Sequence, residues 1–269
     1  KKNFYIEEGD FSLPFDQNWS VYLNNLKKFD LVFCTSRPIN NFFISNNIKS
    51  SLMPIGIPTL SEPYKSFFDK DLGYENKKND LIYSGGIYNK FFFDILTSIK
   101  RHKYIYSSYY KPRIFPKYSL NPFYIKRNYY ENFDNLLHSQ LKSKIGFLIN
   151  QVSINQKQHI MLKQNIGYSS IDNFDYIKEN LLLPQFKGRM WELASTKTLI
   201  LVKKDPWNII EETFIPNSDF IYYNNVDEAN DIIDDVLINY KKYRDITESA
   251  YNRVKKLTSI KLFEYIENF

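Results

Sequence analysis

The chain is poor in the residues that build metal sites and disulfide frameworks. It has one cysteine, Cys34, and three scattered histidines, His102, His138 and His159, among 269 residues. One thiol closes no internal disulfide, and this set supplies no zinc-ligand constellation. Cys34 sits in the apolar run Leu31-Val32-Phe33-Cys34, so it reads as a small core residue of a protein in a reducing, cytoplasmic compartment. Long hydrophobic runs are missing too. The longest reach four to five residues, far short of the ~20 a membrane-spanning helix needs. The sequence opens without a charged-then-apolar leader, and no internal repeat or heptad seam interrupts it. Its first residue is Lys1 rather than methionine, so the expectation is a piece of a longer chain.

Apolar residues at 43% and aromatics at 17% are ample for a packed core and exclude a disordered chain. The net charge of +6 invites nucleic acid as a partner. The charge, however, is spread over separated pairs such as Lys27-Lys28, Lys126-Arg127 and Lys241-Lys242. The over-use of Lys, Asn, Ile, Tyr and Phe reads as the bias of an A+T-rich coding sequence. Nucleic-acid binding through scattered cations with aromatic stacking is therefore the weaker reading. Peripheral contact with an anionic membrane surface or anionic glycan needs only diffuse charge.

Short apolar runs alternate with helical patterns, which predicts βαβ units and a largely parallel sheet. The expected strands are Asp30–Ser36, Ser51–Ile55, Leu81–Ser84, Tyr104–Ser108, Ile145–Asn150, Thr198–Val202 and Phe220–Tyr223. Most are continuous apolar runs, as in strands buried on both faces. Val226, Ala229, Ile232, Ile233, Val236, Leu237 and Tyr240 recur at helical spacing, and a further helix is expected over Tyr243–Ile266. Gly56-Ile57-Pro58, Pro63 and the polar run Glu75–Asp80 mark a boundary near 56–79. The expected organisation is an N-terminal α/β region over 1–60, a hinge over 61–80, a complete domain over 81–242, and a terminal helix over 243–269 packing back on the N-terminal part.

Chemistry gathers at three places. Leu81-Ile-Tyr-Ser84-Gly85-Gly86 is a strand entering a glycine turn before a helix that contains Lys90. Such a turn lets backbone N–H groups approach a phosphate. Arg189 and Glu192 stand three apart on a short helix ahead of a buried strand, with Lys187 just upstream. Residues i and i+3 share a face. A guanidinium there suits two phosphate oxygens, and a carboxylate on a largely apolar helix needs a specific partner, of which a ribose diol is one. An ordinary surface ion pair is the plain alternative. Third, Tyr5-Ile-Glu7-Glu8-Gly9-Asp10 is dense in carboxylates, and Asp10 or Glu8 could serve as general base toward an acceptor hydroxyl.

From these residues a resemblance follows. Arg189-Met-Trp-Glu192-Leu-Ala194-Ser195, then Leu199-Ile-Leu-Val202, resembles the Arg-x-x-Glu-x-Ala-small-strand hallmark of GT-B glycosyltransferases. The likeness is to the "glycosyl transferases group 1" branch that includes spore-coat glycosyltransferase-like proteins. Glu211-Glu212-Thr-Phe214, Phe220–Tyr223, Val226–Tyr240 and Tyr243–Ile266 follow the order seen in that family, and Leu52–Ile57 resembles its hinge. The resemblance implies an α/β, GT-B type fold: a Rossmann-like parallel-sheet donor domain plus a partial or reduced N-terminal Rossmann-like acceptor domain. It also implies a nucleotide-diphosphate-sugar donor and a glycan or glycolipid acceptor. Glu192 would hold the ribose hydroxyls, and Ser84, Gly85, Gly86, Lys90, Lys187 and Arg189 would complete the donor site. Such enzymes generally need no metal or cofactor and work in the cytoplasm, some at the inner face of the membrane. Two departures stand out. Pro184 occupies the position, eight before the ribose glutamate, where many retaining relatives carry a second glutamate. Ser195-Thr196-Lys197 replaces the usual glycine. A glycosyltransferase-like protein that binds nucleotide or glycan without catalysis is the alternative.

Overall fold

The computed structural model describes residues 3–7, 19–34, 37–52, 70–85, 90–99, 104–108, 125–129, 133–153, 182–205, 208–256, 264 and 266. They fall into two compact units. One is drawn from Lys1–Ile55, Gln151–Phe186 and Asp205–Ile209, the other from Gly56–Asn150, Lys187–Lys204 and Ile210–Phe269. The division at residue 55 lies beside Gly56-Ile57-Pro58, but 151–186 groups with the N-terminal unit, so neither unit is one continuous stretch.

The first unit holds a three-stranded parallel sheet, β1 (Phe4–Glu7), β2 (Leu31–Cys34) and β3 (Ser50–Leu52), in that order. Helices α1 (Trp19–Leu26) and α2 (Arg37–Ser45) connect them. Every residue of β2 is buried, and Cys34 lies fully inside with its Sγ near the Asn40 side chain and the Ser51 carbonyl. The same unit contains an antiparallel pair, β8 (Gln151–Ser153) and β9 (Leu182–Pro184).

In the second unit six strands form one parallel sheet: β4 (Asn79–Ser84), β5 (Tyr104–Ser108), β6 (Ile125–Tyr129), β7 (Ser143–Leu148), β10 (Leu199–Lys203) and β11 (Ile221–Tyr223). Their spatial order is β6-β5-β4-β7-β10-β11. The chain therefore builds outward from β4 on one side, returns to β7, and builds outward on the other, which is the Rossmann arrangement. The helices are α3 (Lys90–Ser98), α4 (Phe133–Leu141), α5 (Arg189–Ser195), α6 (Val226–Ile238) and α7 (Arg244–Lys256). Leu81, Ile82, Ile145, Phe147 and Leu199–Val202 are at most 1% exposed. Apolar runs without alternation are the signature of strands covered on both faces.

Local features set the helices against this sheet. A Cβ on Gly146 of β7 would lie 2.4 Å from Leu193 Cδ1, so the missing side chain is what lets α5 settle onto the sheet. The stretch expected to carry a glycine turns instead at Lys197, whose φ of 48° is left-handed. Its ammonium bonds Asp71 at 3.1 Å and Glu248 at 3.0 Å, contacts that offset a backbone cost of about 1–2 kcal/mol. The expected break between the last two helices is a 3-10 turn, Tyr240–Tyr243, after Asn239. Helix α6 starts at Asn225, whose side chain accepts the Glu228 N–H at 2.9 Å. Helix α7 packs on α5 within this unit. Apart from 264 and 266, the remainder of the expected terminal helix lies outside the described residues.

Candidate functional site

Sheet order reverses between β4 and β7, whose Ile82 and Gly146 are register partners. In open parallel sheets the crevice beyond the strands' C-terminal ends at such a point is where ligands bind, because neighbouring loops there diverge to opposite faces. Ser84 ends β4 and is 5% exposed. Gly85 follows, and a Cβ there would sit 3.1 Å from the Tyr83 hydroxyl, a close fit that favours glycine. Lys90 opens α3. Gly86, Glu8 and Asp10, the remaining expected site residues, lie outside the described residues.

The other wall is α5. Met190 through Ser195 are all buried, with the Trp191 ring 5.1 Å from that of Phe214, so only Arg189 reaches toward solvent. Its side chain is 26% exposed against 4% for Glu192. The two do pair, yet the pair is not the surface contact of the plain alternative. Glu192 Oε1 accepts from Arg189 Nη1, and Oε2 accepts from Gln140 Nε2 at 2.9 Å. Gln140, on α4, is fully buried and also donates to Ser84 Oγ at 3.4 Å. Thus Ser84, Gln140, Glu192 and Arg189, separated by up to 105 positions in the chain, form one connected polar chain inside the unit. Burying a carboxylate is costly unless it is hydrogen-bonded, and here the interior supplies the partner that the helix's apolar composition demanded.

Two buried amides were invisible to pattern reading. Asn150, two residues past β7, is 0% exposed, and its Oδ1 accepts the Lys187 N–H at 3.1 Å, which pins the approach to Arg189. Its Nδ2 has no partner among the described residues, and neither does Gln140 Oε1. A buried donor without an acceptor costs about 1–3 kcal/mol, a cost that an oxygen from a bound ligand would relieve. No periodicity announces a lone amide at a strand end or inside a helix. The one available signal was an Asn closing an otherwise apolar strand, Phe147-Leu-Ile-Asn150. At the same edge, Lys203 ends β10 with its Nζ on the Asn224 carbonyl, and burial lowers its pKa.

The point of sheet reversal thus has an arginine, a buried carboxylate and an amide N–H without a partner among the described residues. Residues 152–261 match the family described as "Glycosyl transferase-like". The whole fold is similar to that of HepE from Anabaena, solved with UDP and glucose (TM-score 0.64, 11% identity, 98% of this chain and 70% of that one). The chain has the GT-B fold, and its residues 152–261 carry the match to a glycosyltransferase family. Sucrose-phosphate synthase from Thermosynechococcus elongatus aligns at TM-score 0.63 and 9% identity, over 98% of this chain and 66% of that one. S. aureus TarM, solved with fondaparinux, alpha-GlcNAc-glycerol and UDP, aligns at 0.62 and 9%, over 98% of this chain and 50% of its own. No curated protein sequence matches. Among the described residues no helix is long and apolar enough to cross a membrane, and no three His, Cys, Asp or Glu side chains gather as metal ligands.

Proposed function

We propose that this chain is a glycosyltransferase that moves a hexose-type sugar from a nucleotide-diphosphate-sugar to a hydroxyl of a surface glycan or glycolipid, without a metal. The observation that carries the reading is the Arg189–Glu192–Gln140 chain beside the unpartnered Asn150 amide at the sheet's switch point. Glu192 accepts the ribose hydroxyls, held in place by Gln140. Arg189, Lys187, Lys90 and the backbone of Gly85-Gly86 face the diphosphate, and Asn150 Nδ2 donates to one of its oxygens. As the acceptor hydroxyl attacks the anomeric carbon, the bond to the diphosphate breaks and negative charge grows on the leaving phosphate. Preorganised cations and N–H donors stabilise that charge most where water is excluded. The hydroxyl proton passes to a carboxylate, Glu8 or Asp10. The complexes of HepE and TarM with UDP make a uridine donor the first to try.

Pro184 favours one second reading, a protein of this fold that binds nucleotide or glycan without transfer, since it closes β9 where many retaining relatives place a glutamate. The test is thermal shift against UDP, GDP, ADP and CMP and their sugars, followed by a donor-consumption assay with and without chelator. A stabilising ligand must raise the melting temperature. Expected is a shift with one nucleotide family, a loss of affinity of about ten- to hundredfold in Arg189→Ala and Glu192→Ala, and turnover unaffected by chelator. Binding without turnover would leave the non-catalytic reading. No shift with any donor, in folded protein, would sink both.

A further inference from the structure

A cavity of about 410 Å³ opens at the opposite edge of the six-stranded sheet, where the strands begin. Its walls come from the segment ahead of β4 (Tyr74, Lys77), the turn ahead of β10 (Lys197), and the α6–α7 junction (Tyr240, Lys241, Arg244). A six-residue strand such as β4 spans about 20 Å, so this cavity lies about a strand length from Ser84 and beyond the opposite end of α5 from Arg189. It does not depend on the donor reading.

The charges lining it are unequally committed. Lys197 is spent on Asp71 and Glu248, which leaves that wall one negative charge in excess. Lys241 and Arg244 make no side-chain bond among the described residues, against one uncommitted carboxylate, the exposed Glu75. Between them lies Lys77, 4% exposed, whose Nζ donates to the Leu141 carbonyl at 2.9 Å and the Thr196 carbonyl at 3.2 Å. An ammonium has three protons, and the third finds no acceptor among the described residues. Burial pushes Lys77 down to about 8, a cost that a bound anion would relieve. The tyrosines Tyr74 and Tyr240 stack with centroids 3.6 Å apart and supply a flat, rigid side.

We propose that this cavity is a second ligand site, specific for a phosphate ester carried on a sugar or polyol. Arg244 takes the phosphate in its planar fork, Lys241 adds charge at the rim, and Lys77 donates from below. The paired carboxylates Asp71 and Glu248 remain hydrogen-bond acceptors for ring or chain hydroxyls. At a strand's length from the reacting atoms, the site holds a group that is not the one transferred.

Calorimetric titration of the full chain with inorganic phosphate, glycerol phosphate and a hexose 6-phosphate tests this, repeated with a poly(glycerol phosphate) chain and in the presence of saturating UDP. Expected is binding that the Lys241→Ala/Arg244→Ala double variant weakens about tenfold or more, while Arg189→Ala and UDP leave it intact. Both changes in the double variant are at exposed positions, so its melting temperature should stay near wild type. Binding of the small esters identifies a free metabolite as the source, and binding of the polymer alone identifies a phosphate-bearing glycan. Either supports the site. No binding by any probe, binding indifferent to the double variant, or binding lost in Arg189→Ala overturns it.

Discussion

Asp219 and Glu192 are both buried carboxylates facing an arginine, and they are finished to different degrees. Asp219, just ahead of β11, accepts the Ile215 N–H at 2.7 Å, the Ser249 hydroxyl at 2.6 Å and the Arg253 Nε–H. Those bonds tie α7 to the loop below it. Glu192 accepts from Arg189 and Gln140, but the network around it ends in loose atoms, Gln140 Oε1 and, across the crevice mouth, Asn150 Nδ2. A saturated buried charge is an anchor of the fold. One whose surroundings keep unpartnered atoms, at the place where sheet order reverses, fits the binding role proposed above. The contrast matters because composition treats the two alike: each is one acidic residue in an apolar neighbourhood.

Removing the anchor should produce the largest effect. Asp219→Ala strands Arg253 and the Ile215 N–H, and breaking a buried pair from one side costs about 3–5 kcal/mol. Chemical denaturation should show that loss, while the protein still folded at low temperature binds donor as wild type does. If donor affinity falls along with stability, the two carboxylates are not separable and the comparison fails.

A third buried charge lets pH sharpen the same distinction. Lys77 has a pKa near 8 in the folded chain, against about 10.5 when unfolded. Below 8 both states hold the proton, and the folded state carries the full cost of a buried ammonium. Between about 8 and 10.5 the unfolded state binds more protons than the native, so stability rises with pH. At about 1.4 kcal/mol per unit the gain approaches roughly 3 kcal/mol across the window. It should be visible as wild-type stability climbing relative to Lys77→Met between pH 7.5 and 9.5. A measurement above pH 10 would mix in Tyr240, which burial pushes up to about 12 and which acts with the opposite sign. A flat difference would show that Lys77 keeps its proton on the two carbonyls throughout.

How far the molecule could be read beforehand follows the same physics. Continuous apolar runs announced β2, β4, β7 and β10 to within a few residues, and Tyr104–Ser108 was placed at its observed ends. Strand β6, Ile-Lys-Arg-Asn-Tyr, escaped because it carries neither an apolar run nor alternation. So did β8 and β9, three residues each, whose pairing is fixed by partners 29 to 33 positions apart. The three-residue spacing of Arg189 and Glu192 was legible because helix geometry is local. The donor to Glu192 Oε2 was not, because Gln140 lies 52 positions away and nothing in its own neighbourhood marks it. Burial of Met190 through Ser195 was legible too, in the apolar neighbours Trp191, Leu193 and Ala194 that enclose Glu192.

Gln140→Leu brings the smallest change in stability and the most informative one. Leucine fits the apolar α4 face and removes the unpartnered Oε1, a gain, but it leaves Glu192 Oε2 without its donor, a loss of about 1–3 kcal/mol. The net change should therefore be near 1 kcal/mol, well below that of Asp219→Ala. If Gln140 only fills space, donor affinity stays at the wild-type value. If Gln140 holds the Glu192 carboxylate in line for a ribose diol, affinity for the nucleotide falls about tenfold, while affinity for inorganic diphosphate, which never meets Glu192, does not move. Gln140→Glu separates the cases further: two carboxylates in contact repel, so one takes up a proton. Nucleotide binding should then weaken as pH rises through that proton's pKa, a dependence the wild type lacks. A Gln140→Leu variant with unchanged nucleotide affinity would make Glu192 an anchor like Asp219 and move the ribose contact elsewhere in the crevice.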